Sequence, residues 1–384
     1  MMPSNADVVI IGGGIMGAST AYHLARRGGS SVVLLESESM FGLGSTGLNA
    51  GGMRYQFGAA VNIALSTLSI GMMERFADEM DQAVGLRRCG YLFMLDNDAD
   101  MAQFTRNVAL QNGLGVPSRM VSAAEIAELA PEVELSGIVG GSWCARDGLV
   151  DPNSLLQGYV SNARRFGATL VNCAKVTGID VAAGRVTRVH STAGVIEAKQ
   201  VVIAAGAWSA QVGALVGVDI PIRPIRRQIA VTAPIANLRK DFPFVIDFSQ
   251  ALYFHREGNA ILTGMSNRDE PAGFDTSVDE GWRLTHLEQA MQRLPMLSDA
   301  SIAADWAGLY EVTPDDQPIL GPIPSVDGLY LCAGFSGHGL MHGPAAGLLM
   351  AEELLDGRAH TIDIDPLRWR TFGAGDAVGE YNVV

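Results

Sequence analysis

Residues 7–36 read DVVIIGGGIMGASTAYHLARRGGSSVVLLE. This order predicts a strand, a glycine turn, a helix, a second strand and a final acidic residue. The apolar run at 8–11 is typical of a buried parallel strand. Gly12, Gly14 and Gly17 have the G-x-G-x-x-G spacing. The first glycine allows a tight turn, the second lets a pyrophosphate approach the backbone, and the third lets the helix pack closely on the strand.

The start of this helix indicates a dinucleotide site rather than a purely structural turn. Free N–H groups at a helix N-terminus bind phosphate, so Ile15 and Met16 are assigned to the same site. Glu36 stands nineteen residues after Gly17, where a carboxylate accepts hydrogen bonds from a ribose diol. The acid disfavours a phosphorylated ribose, and therefore NADP, but it does not distinguish FAD from NAD.

Composition limits the class of protein. The chain has 384 residues, 48% of them hydrophobic, and this length suggests two domains. Helical and strand patterns alternate, which favours an α/β fold. A net charge of −14 without a basic stripe argues against a nucleic-acid partner. The four cysteines are scattered, with no C-x-x-C pair and no metal-ligand spacing, so we expect buried or half-buried thiols and no metal site.

Targeting and membrane signals are not recognisable. The first residues carry no basic region ahead of an apolar run, and no segment has the roughly 18 consecutive apolar residues that a membrane span needs. We therefore expect a cytoplasmic protein without a transmembrane segment.

Two further stretches suit backbone that lies against a ligand. Residues 41–58 hold six glycines in eighteen positions, which predicts a long loop outside regular structure. The apolar run at 201–203 stops at a small-residue turn ending in Trp208 and Ser209, the form expected of a strand that abuts a cofactor.

The remaining pattern predicts alternating elements. We expect a capping box at Ser122, a helix opened by Asp151 and Pro152, three strands between 168 and 203 and an antiparallel sheet within 220–264. Further helices are expected over 61–82, 101–111, 279–293 and 340–355, and strands over 91–95 and 329–333.

These motifs together resemble the D-amino-acid-oxidase superfamily of flavoproteins. The resembling stretches are 7–36, 44–58, 201–209, 308–321 and 334–341, and they span the chain in the family order. Within the superfamily the chain is similar to the sarcosine oxidase, dimethylglycine dehydrogenase and L-proline dehydrogenase group, including the β subunits of its heteromeric members. The resemblance implies FAD rather than NAD.

The resemblance also implies the domain organisation. An α/β, Rossmann-like FAD-binding domain is expected from residues 1–88, 145–219 and 301–384. An inserted, mainly antiparallel β-sheet substrate domain is expected from residues 89–144 and 220–300.

Cofactor contacts follow from the resemblance by position. Ser45 and Thr46 would meet the FAD phosphates or the flavin edge, Val176 the adenine side, and the 335–341 turn the pyrimidine end of the flavin, where a helix N-terminus stabilises negative charge on reduction. The remaining positions assigned to the cofactor are Asn49, Ala50, Gly51, Gly52, Ala205, Gly206, Trp208, Gly308, Gly334, Phe335, Ser336, Gly337, His338, Gly339, Leu340 and Met341.

The substrate end of the site is assigned in the same way. Arg54 occupies the position that helps to hold the substrate carboxylate in sarcosine oxidases, and an arginine fork matches a carboxylate in charge and shape. Tyr310, Tyr253 and His255 are candidates to line the pocket, although an exposed strand histidine is an equal interpretation of His255. His338 is a candidate base, but between two glycines it is better explained as shaping the flavin loop.

Four departures from the family pattern refine this interpretation. Gly308 replaces the flavin-linking cysteine of monomeric sarcosine oxidases and Asn49 the linking histidine of dimethylglycine dehydrogenases, so non-covalent FAD is expected. Met341 replaces a lysine that activates oxygen, which favours a dehydrogenase over an oxidase. Ser266 or a neighbour replaces an active-site histidine, so the substrate need not be sarcosine.

The expected function is oxidation of the α-carbon–nitrogen bond of a small amino acid, a secondary amine with an N-methyl group or a ring, by hydride transfer to flavin N5. A second subunit or a separate electron acceptor fits this scheme. One alternative is a 2-hydroxy-acid or glycerol-phosphate dehydrogenase, whose anions Arg54 would hold equally well. The other is a non-catalytic flavoprotein subunit or assembly factor, against which Arg54 counts.

Overall fold

The computed structural model describes residues 2–370, 372 and 379–383. Its strands are β1 (Asn5–Ile11), β2 (Val32–Leu35), β3 (Gly52–Met53), β4 (Tyr91–Leu95), β5 (Arg119–Ser122), β6 (Gly140–Cys144), β7 (Gly148–Leu149), β8 (Thr169–Val171), β9 (Val176–Ala182), β10 (Arg185–Ser191), β11 (Gly194–Ile203), β12 (Arg223–Thr232), β13 (Phe244–Asp247), β14 (Leu252–Glu257), β15 (Ala260–Met265), β16 (Ile302–Val312), β17 (Ile319–Pro322) and β18 (Leu329–Ala333).

The helices complete the layers. They are α1 (Ile15–Arg27), α2 (Ser45–Leu48), α3 (Ala60–Glu74), α4 (Phe76–Met80), α5 (Asp98–Gly113), α6 (Ala123–Leu129), α7 (Pro152–Arg165), α8 (Ser209–Ala214), α9 (Glu280–Arg293) and α10 (Gly339–Asp356), with 3₁₀ turns at Gly206–Trp208, Pro295–Asp299 and Asp365–Leu367.

The first sheet is organised around β1, which pairs in parallel with β2 and β11. Its order is β17-β18-β11-β1-β2-β8, and β9 and β10 extend β11 as an antiparallel ribbon. Successive β1 residues point to opposite faces: Val8 and Ile10 pack into the layer that contains α1 and α10, while Val9 and Ile11 pack into the opposite layer. A strand covered on both faces needs an unbroken apolar run, and the sequence has one.

The second sheet is mainly antiparallel, with the order β16-β12-β15-β14-β13-β4-β6-β5. Only β13 and β4 pair in parallel. The predicted α/β architecture with an inserted, mainly antiparallel sheet is thereby confirmed. The sequence assigns β16 to the first domain, but β16 pairs with β12 from Arg223↔Val312 to Thr232↔Ile302 and so lies in the second sheet. We therefore propose that the substrate domain extends to about residue 312.

The predicted helix starts at Ser122 and Asp151 are confirmed, because each depends only on hydrogen bonds within the first turn. Ser122 and Glu125 form the expected capping box, and the Asp151 side chain accepts the N–H of Ser154 at the start of α7. The predicted helix over 61–82 is instead two helices that meet at Arg75. The second begins at Phe76, whose buried ring lies against Gly158 of α7, a contact that no local pattern encodes.

Three smaller predictions were wrong. The 41–58 loop contains the single helical turn α2 and the two residues of β3. The 168–203 segment forms four strands, because Thr169–Val171 joins the parallel sheet beside β2. Cys173 is exposed, while the other three cysteines are buried or half-buried. No helix in the described part of the chain has the length and apolar character of a membrane span.

Candidate active site

A cavity of about 880 Å³ runs from the glycine turn of the first sheet to the face of the second. At one end it is lined by Gly12, Gly14 and Glu36, and at the other by Arg54 and Tyr310. The first sheet therefore supplies the end that the sequence assigns to a dinucleotide. The second sheet, together with the two-stranded sheet of β3 and β7, supplies the end assigned to a substrate.

The glycine turn leaves the N-terminus of α1 open toward the cavity. Gly12 has φ +114°, and a Cβ there would overlap the carbonyl of Ala204. The first turn of α1 has no side-chain cap and no acidic residue, and the Ile15 N–H donates to the Thr46 hydroxyl at 3.1 Å. A helix start whose N-cap residue is a glycine, with no side chain in the way, fits the diphosphate of a dinucleotide.

Glu36 is placed at this same end. One of its oxygens accepts the Gly13 N–H at 2.7 Å, and the other accepts the Glu38 N–H at 2.9 Å. The carboxylate therefore holds the glycine turn and also lines the cavity near Val176. Its hydrogen bonding to a ribose stays a prediction.

Most residues assigned to the cofactor line the cavity. They are Gly12, Gly14, Ile15, Met16, Glu36, Ser45, Thr46, Asn49, Ala50, Gly52, Val176, Ala205, Gly206, Trp208, Gly308, Ser336, Gly337, His338, Gly339, Leu340 and Met341.

Four assigned residues lie behind the cavity wall instead. A Cβ on Gly17 would overlap the Gly12 carbonyl oxygen, so this glycine serves the packing of α1. Gly51 has φ +72° and abuts the Val150 carbonyl. Gly334 donates its N–H to Glu311 at 3.0 Å, and Phe335 is in the core. These four support the shape of the site without lining it.

Arg54 is a buried cation that lines the cavity. It follows β3, and its guanidinium lies 3.9 Å from the centre of the Phe57 ring. Its two terminal nitrogens donate to the carbonyls of Gln56 and Asn382. Burial lowers the pKa of Arg54. Within the described residues these two bonds use two of its five N–H donors.

The sequence did not reveal the groups that position Arg54. Asp147 is fully buried and accepts the Tyr55 N–H at 2.7 Å and the Gln56 amide at 2.8 Å. Burial raises the pKa of Asp147 to about 6. At the other end of the chain, Glu380 accepts the N–H groups of Gly58 at 2.6 Å and Asn382 at 3.0 Å. These contacts span up to about 320 positions along the chain and have no local signal.

Aromatic side chains form the substrate-end wall. Tyr91 stacks on Phe244 with ring centres 4.1 Å apart, and Tyr253 lies 5.6 Å from Phe244. Tyr91, Phe244, Tyr253 and Tyr310 all line the cavity. Burial raises the pKa of Tyr91, Tyr253 and Tyr310, so their hydroxyls stay protonated and act as donors.

His255 does not line the cavity and is not exposed, so neither of its two interpretations is correct. It is fully buried behind Phe244, with ring centres 4.9 Å apart. Burial lowers the pKa of His255 to about 4. His255 stands two residues after Tyr253 in β14, so both side chains lie on the same face of the sheet. The Phe244 ring covers His255 there.

His338 lines the cavity as the first member of a buried hydrogen-bonded chain. Its Nε2 lies 3.0 Å from the Asp316 carbonyl, its Nδ1 lies 3.2 Å from Nδ1 of His342, and Nε2 of His342 lies 2.9 Å from the Ser66 hydroxyl. Since a carbonyl only accepts, His338 donates there, His342 donates to His338, and Ser66 donates to His342. Burial lowers the pKa of His338 to about 3, so a neutral ring joins the flavin loop to α3.

Sequence reasoning also missed Glu311 and Arg227, which both line the cavity. Glu311 is half-buried, and desolvation raises the pKa of its carboxyl to about 7. Arg227 of β12 is in register with Gly308 of β16, and its guanidinium lies 5.2 Å from the Tyr310 ring centre. The strand pairing explains why Arg227 lines the cavity, because directly opposed residues of β12 and β16 share a sheet face and Gly308 lies at the cavity.

Comparison with known proteins places this geometry in a family. A family model described as "FAD dependent oxidoreductase" (DAO) matches residues 7–353. The chain therefore belongs to the DAO family of FAD-dependent oxidoreductases, and FAD is the cofactor expected of it.

Individual relatives agree with this assignment. The chain is 30% identical to the mitochondrial dimethylglycine dehydrogenase of Mus musculus, over 95% of this chain and 44% of that protein. It is 30% identical to FAD-dependent oxidoreductase domain-containing protein 1 of Mus musculus, over 100% of this chain and 88% of that protein. The L-proline dehydrogenase structure from P. horikoshii superposes with a TM-score of 0.86 and 30% identity, covering 93% of this chain and 95% of that one. The chain thus spans less than half the length of the dimethylglycine dehydrogenase.

Proposed function

We propose that this protein oxidises the α-carbon–nitrogen bond of a small amino acid that is a secondary amine. The observation that carries the proposal is Arg54, a buried and pre-oriented guanidinium in the same cavity as the glycine turn. The relatives named for dimethylglycine and L-proline support an N-substituted substrate.

The cofactor residues fit FAD bound without a covalent link. Gly308 and Asn49 line the cavity where some relatives carry a linking residue, and neither side chain can form such a bond. When bound, FAD supplies the hydride acceptor. The glycine turn and the α1 N-terminus would hold its diphosphate, and the 336–341 segment would face its ring system.

The chain's own residues bind and orient the substrate. Arg54 would form a charge-assisted pair with the carboxylate, and the tyrosine hydroxyls would supply further donors. Nearby guanidinium charge lowers the pKa of a bound amine, which favours the neutral nitrogen that C–H oxidation requires. No side-chain base is assigned, because His338 is neutral and already bonded at both ring nitrogens.

A dehydrogenase is proposed rather than an oxidase, with a separate electron acceptor or a second subunit. Met341 lines the cavity, and among the described residues the only lining lysine is Lys175, on the same side as Glu36 and Val176. The cytoplasmic location stays a prediction.

The proposal is tested by anaerobic mixing of the FAD-loaded protein with N-methylated amino acids, prolines, primary amino acids and 2-hydroxy acids, monitored by the oxidised flavin band. Secondary amines should bleach the band, and air should restore it slowly. Bleaching by 2-hydroxy acids alone would replace the proposal with the alcohol dehydrogenase alternative. If dithionite bleaches the flavin and no substrate class does, the proposed activity is wrong for the isolated chain.

A further inference from the structure

Two neighbouring arginines of β12 serve opposite faces of the second sheet, as successive strand residues must. Arg226 is neutralised: it pairs with Glu270 and Asp275, each at 2.9 Å. Arg227 points the other way, into the cavity, where Gly308 opposite it has no side chain to fill the space.

Arg227 forms no ion pair within the described part of the chain, although the Glu270 and Asp316 carboxylates lie near enough to favour its charged form. One terminal nitrogen donates to the carbonyls of Arg226 at 2.9 Å and Asn267 at 3.3 Å. Its Nε is buried without a hydrogen-bond partner, and no described carboxylate forms an ion pair with it. The second terminal nitrogen makes no hydrogen bond within the described residues and, unlike Nε, is not buried from the cavity. A desolvated cation without a paired carboxylate is costly unless an anion is supplied, so the site fits an anionic ligand.

Arg54 and Arg227 are held at different places in the cavity. Arg54 is anchored on Phe57, and Arg227 lies over Tyr310. Their electrostatic neighbours overlap only in part. Burial raises the pKa of Tyr91, Tyr253 and Tyr310; Arg54 opposes the rise in Tyr91, Arg227 opposes it in Tyr253, and both oppose it in Tyr310. Two forks that are anchored on different rings but share Tyr310 suit two acidic groups of one small substrate.

The geometry points to a substrate with two acidic groups: an amine whose α-carboxylate is held by Arg54 and whose second carboxylate, on the side chain or on the N-substituent, is held by Arg227. The oxidation of this substrate rests on the proposed function. The binding of a second anion depends only on Arg227 and can be tested without the reaction. It makes Arg227 a specificity-determining residue.

Matched substrates test the inference. N-methylaspartate is compared with N-methylalanine, and N-(carboxymethyl)glycine with N-ethylglycine, because each pair differs by one carboxylate. We expect kcat/KM for anaerobic flavin reduction to be at least about tenfold higher for the dicarboxylate. Arg227→Gln should lower the dicarboxylate value by about 10- to 100-fold and the monocarboxylate value by less than about threefold. Arg227→Lys should restore part of the preference.

A binding measurement separates this inference from the proposed activity. Malonate, succinate and glutarate are titrated against acetate and butyrate, with the oxidised flavin spectrum as the readout. Tighter dicarboxylate binding that disappears in Arg227→Gln supports the second anion site even if no amine is oxidised. Exposed Arg223 on the same strand provides the control, because Arg223→Gln removes an equal charge outside the cavity.

Three results would overturn the inference. Equal kinetics and equal binding for both members of each pair would remove the second anion site while leaving amine oxidation intact. An equal loss for both members in Arg227→Gln would indicate one carboxylate clamped by both arginines. Loss of FAD from Arg227→Gln, with Arg223→Gln retaining it, would assign Arg227 to the cofactor.

Discussion

A single buried side chain shows how the site is prepared for an anion. Arg54 has its guanidinium stacked on Phe57 and its terminal nitrogens bonded to two carbonyls, so its orientation is set before any ligand arrives. The two carbonyls occupy two of its hydrogen-bond donors, but as neutral groups they do not cancel its positive charge. A bound carboxylate would therefore gain a charge-assisted pair at little cost in side-chain entropy.

Replacement of Arg54 tests this argument. Arg54→Ala should lower kcat/KM for the amine substrate by about 2–4 kcal/mol in transition-state terms, since it leaves a carboxylate unpaired in a desolvated site. Arg54→Lys keeps the positive charge but loses the two-pronged guanidinium, so its kcat/KM should lie between those of Arg54→Ala and the parent protein. The measurement is single-turnover flavin reduction on variants with full FAD content. Unchanged kinetics in Arg54→Ala would remove this residue from the site.

At the scale of elements, the α1 helix is brought into contact with β1 by a glycine pair. Gly17 stands one turn inside α1, and any side chain there would overlap the Gly12 carbonyl oxygen. Gly12 also has φ +114°, a value that favours glycine. The cofactor end of the cavity is therefore shaped by helix–strand packing as well as by the hydrogen bond from Gly13 to Glu36.

The consequence is measurable as flavin retention. Gly17→Ala should push α1 away from β1 and reduce the fraction of protein that keeps FAD, by at least about tenfold in affinity, because small displacements at such a site are costly. Gly113→Ala, at the end of α5, is the matched control, since its Cβ would meet no atom within 4 Å. The absorbance ratio of flavin to protein after gel filtration reports the result. Equal retention in both variants would contradict the packing argument.

In the molecule as a whole, buried histidines couple stability to pH. Burial lowers the pKa of His286 to about 4, of His255 to about 4 and of His338 to about 3. Each is neutral in the folded chain and takes up a proton on unfolding below about pH 6.5. Stability is thus fully present above that pH and is lost as the pH falls toward 4. The raised pKa values of Asp147 and Glu311 work in the opposite direction and reduce the net slope.

His286 isolates one such contribution, because it does not line the cavity and its one hydrogen bond within the described residues joins Nε2 to the Thr263 hydroxyl at 3.0 Å. His286→Gln should make the fall in urea midpoint between pH 7 and pH 5 smaller, by the equivalent of about 1.4 kcal/mol per pH unit below 6.5. A pH slope in His286→Gln identical to that of the parent protein would refute the assignment of His286 as a buried neutral group.

The sequence alone predicted the fold class and the glycine turn at the cofactor end, and the family resemblance added Arg54. The fold class and the glycine turn depend on local patterns: a glycine spacing between two apolar strands, an acid at a set distance, and turns whose chemistry is complete within a few residues. Helix starts at Ser122 and Asp151 were predictable for the same reason, since a cap needs only its own first turn.

Tertiary structure decided what depends on pairing between distant segments. Arg227 faces the cavity because β12 pairs with β16 in one register, and a shift of one residue would have exchanged it with Arg226. The buried place of His255, the Asp147 support of the Arg54 segment and the clamp from Glu380 likewise arise from contacts between residues far apart in the chain. Such contacts are set by packing of whole elements, which no short pattern encodes.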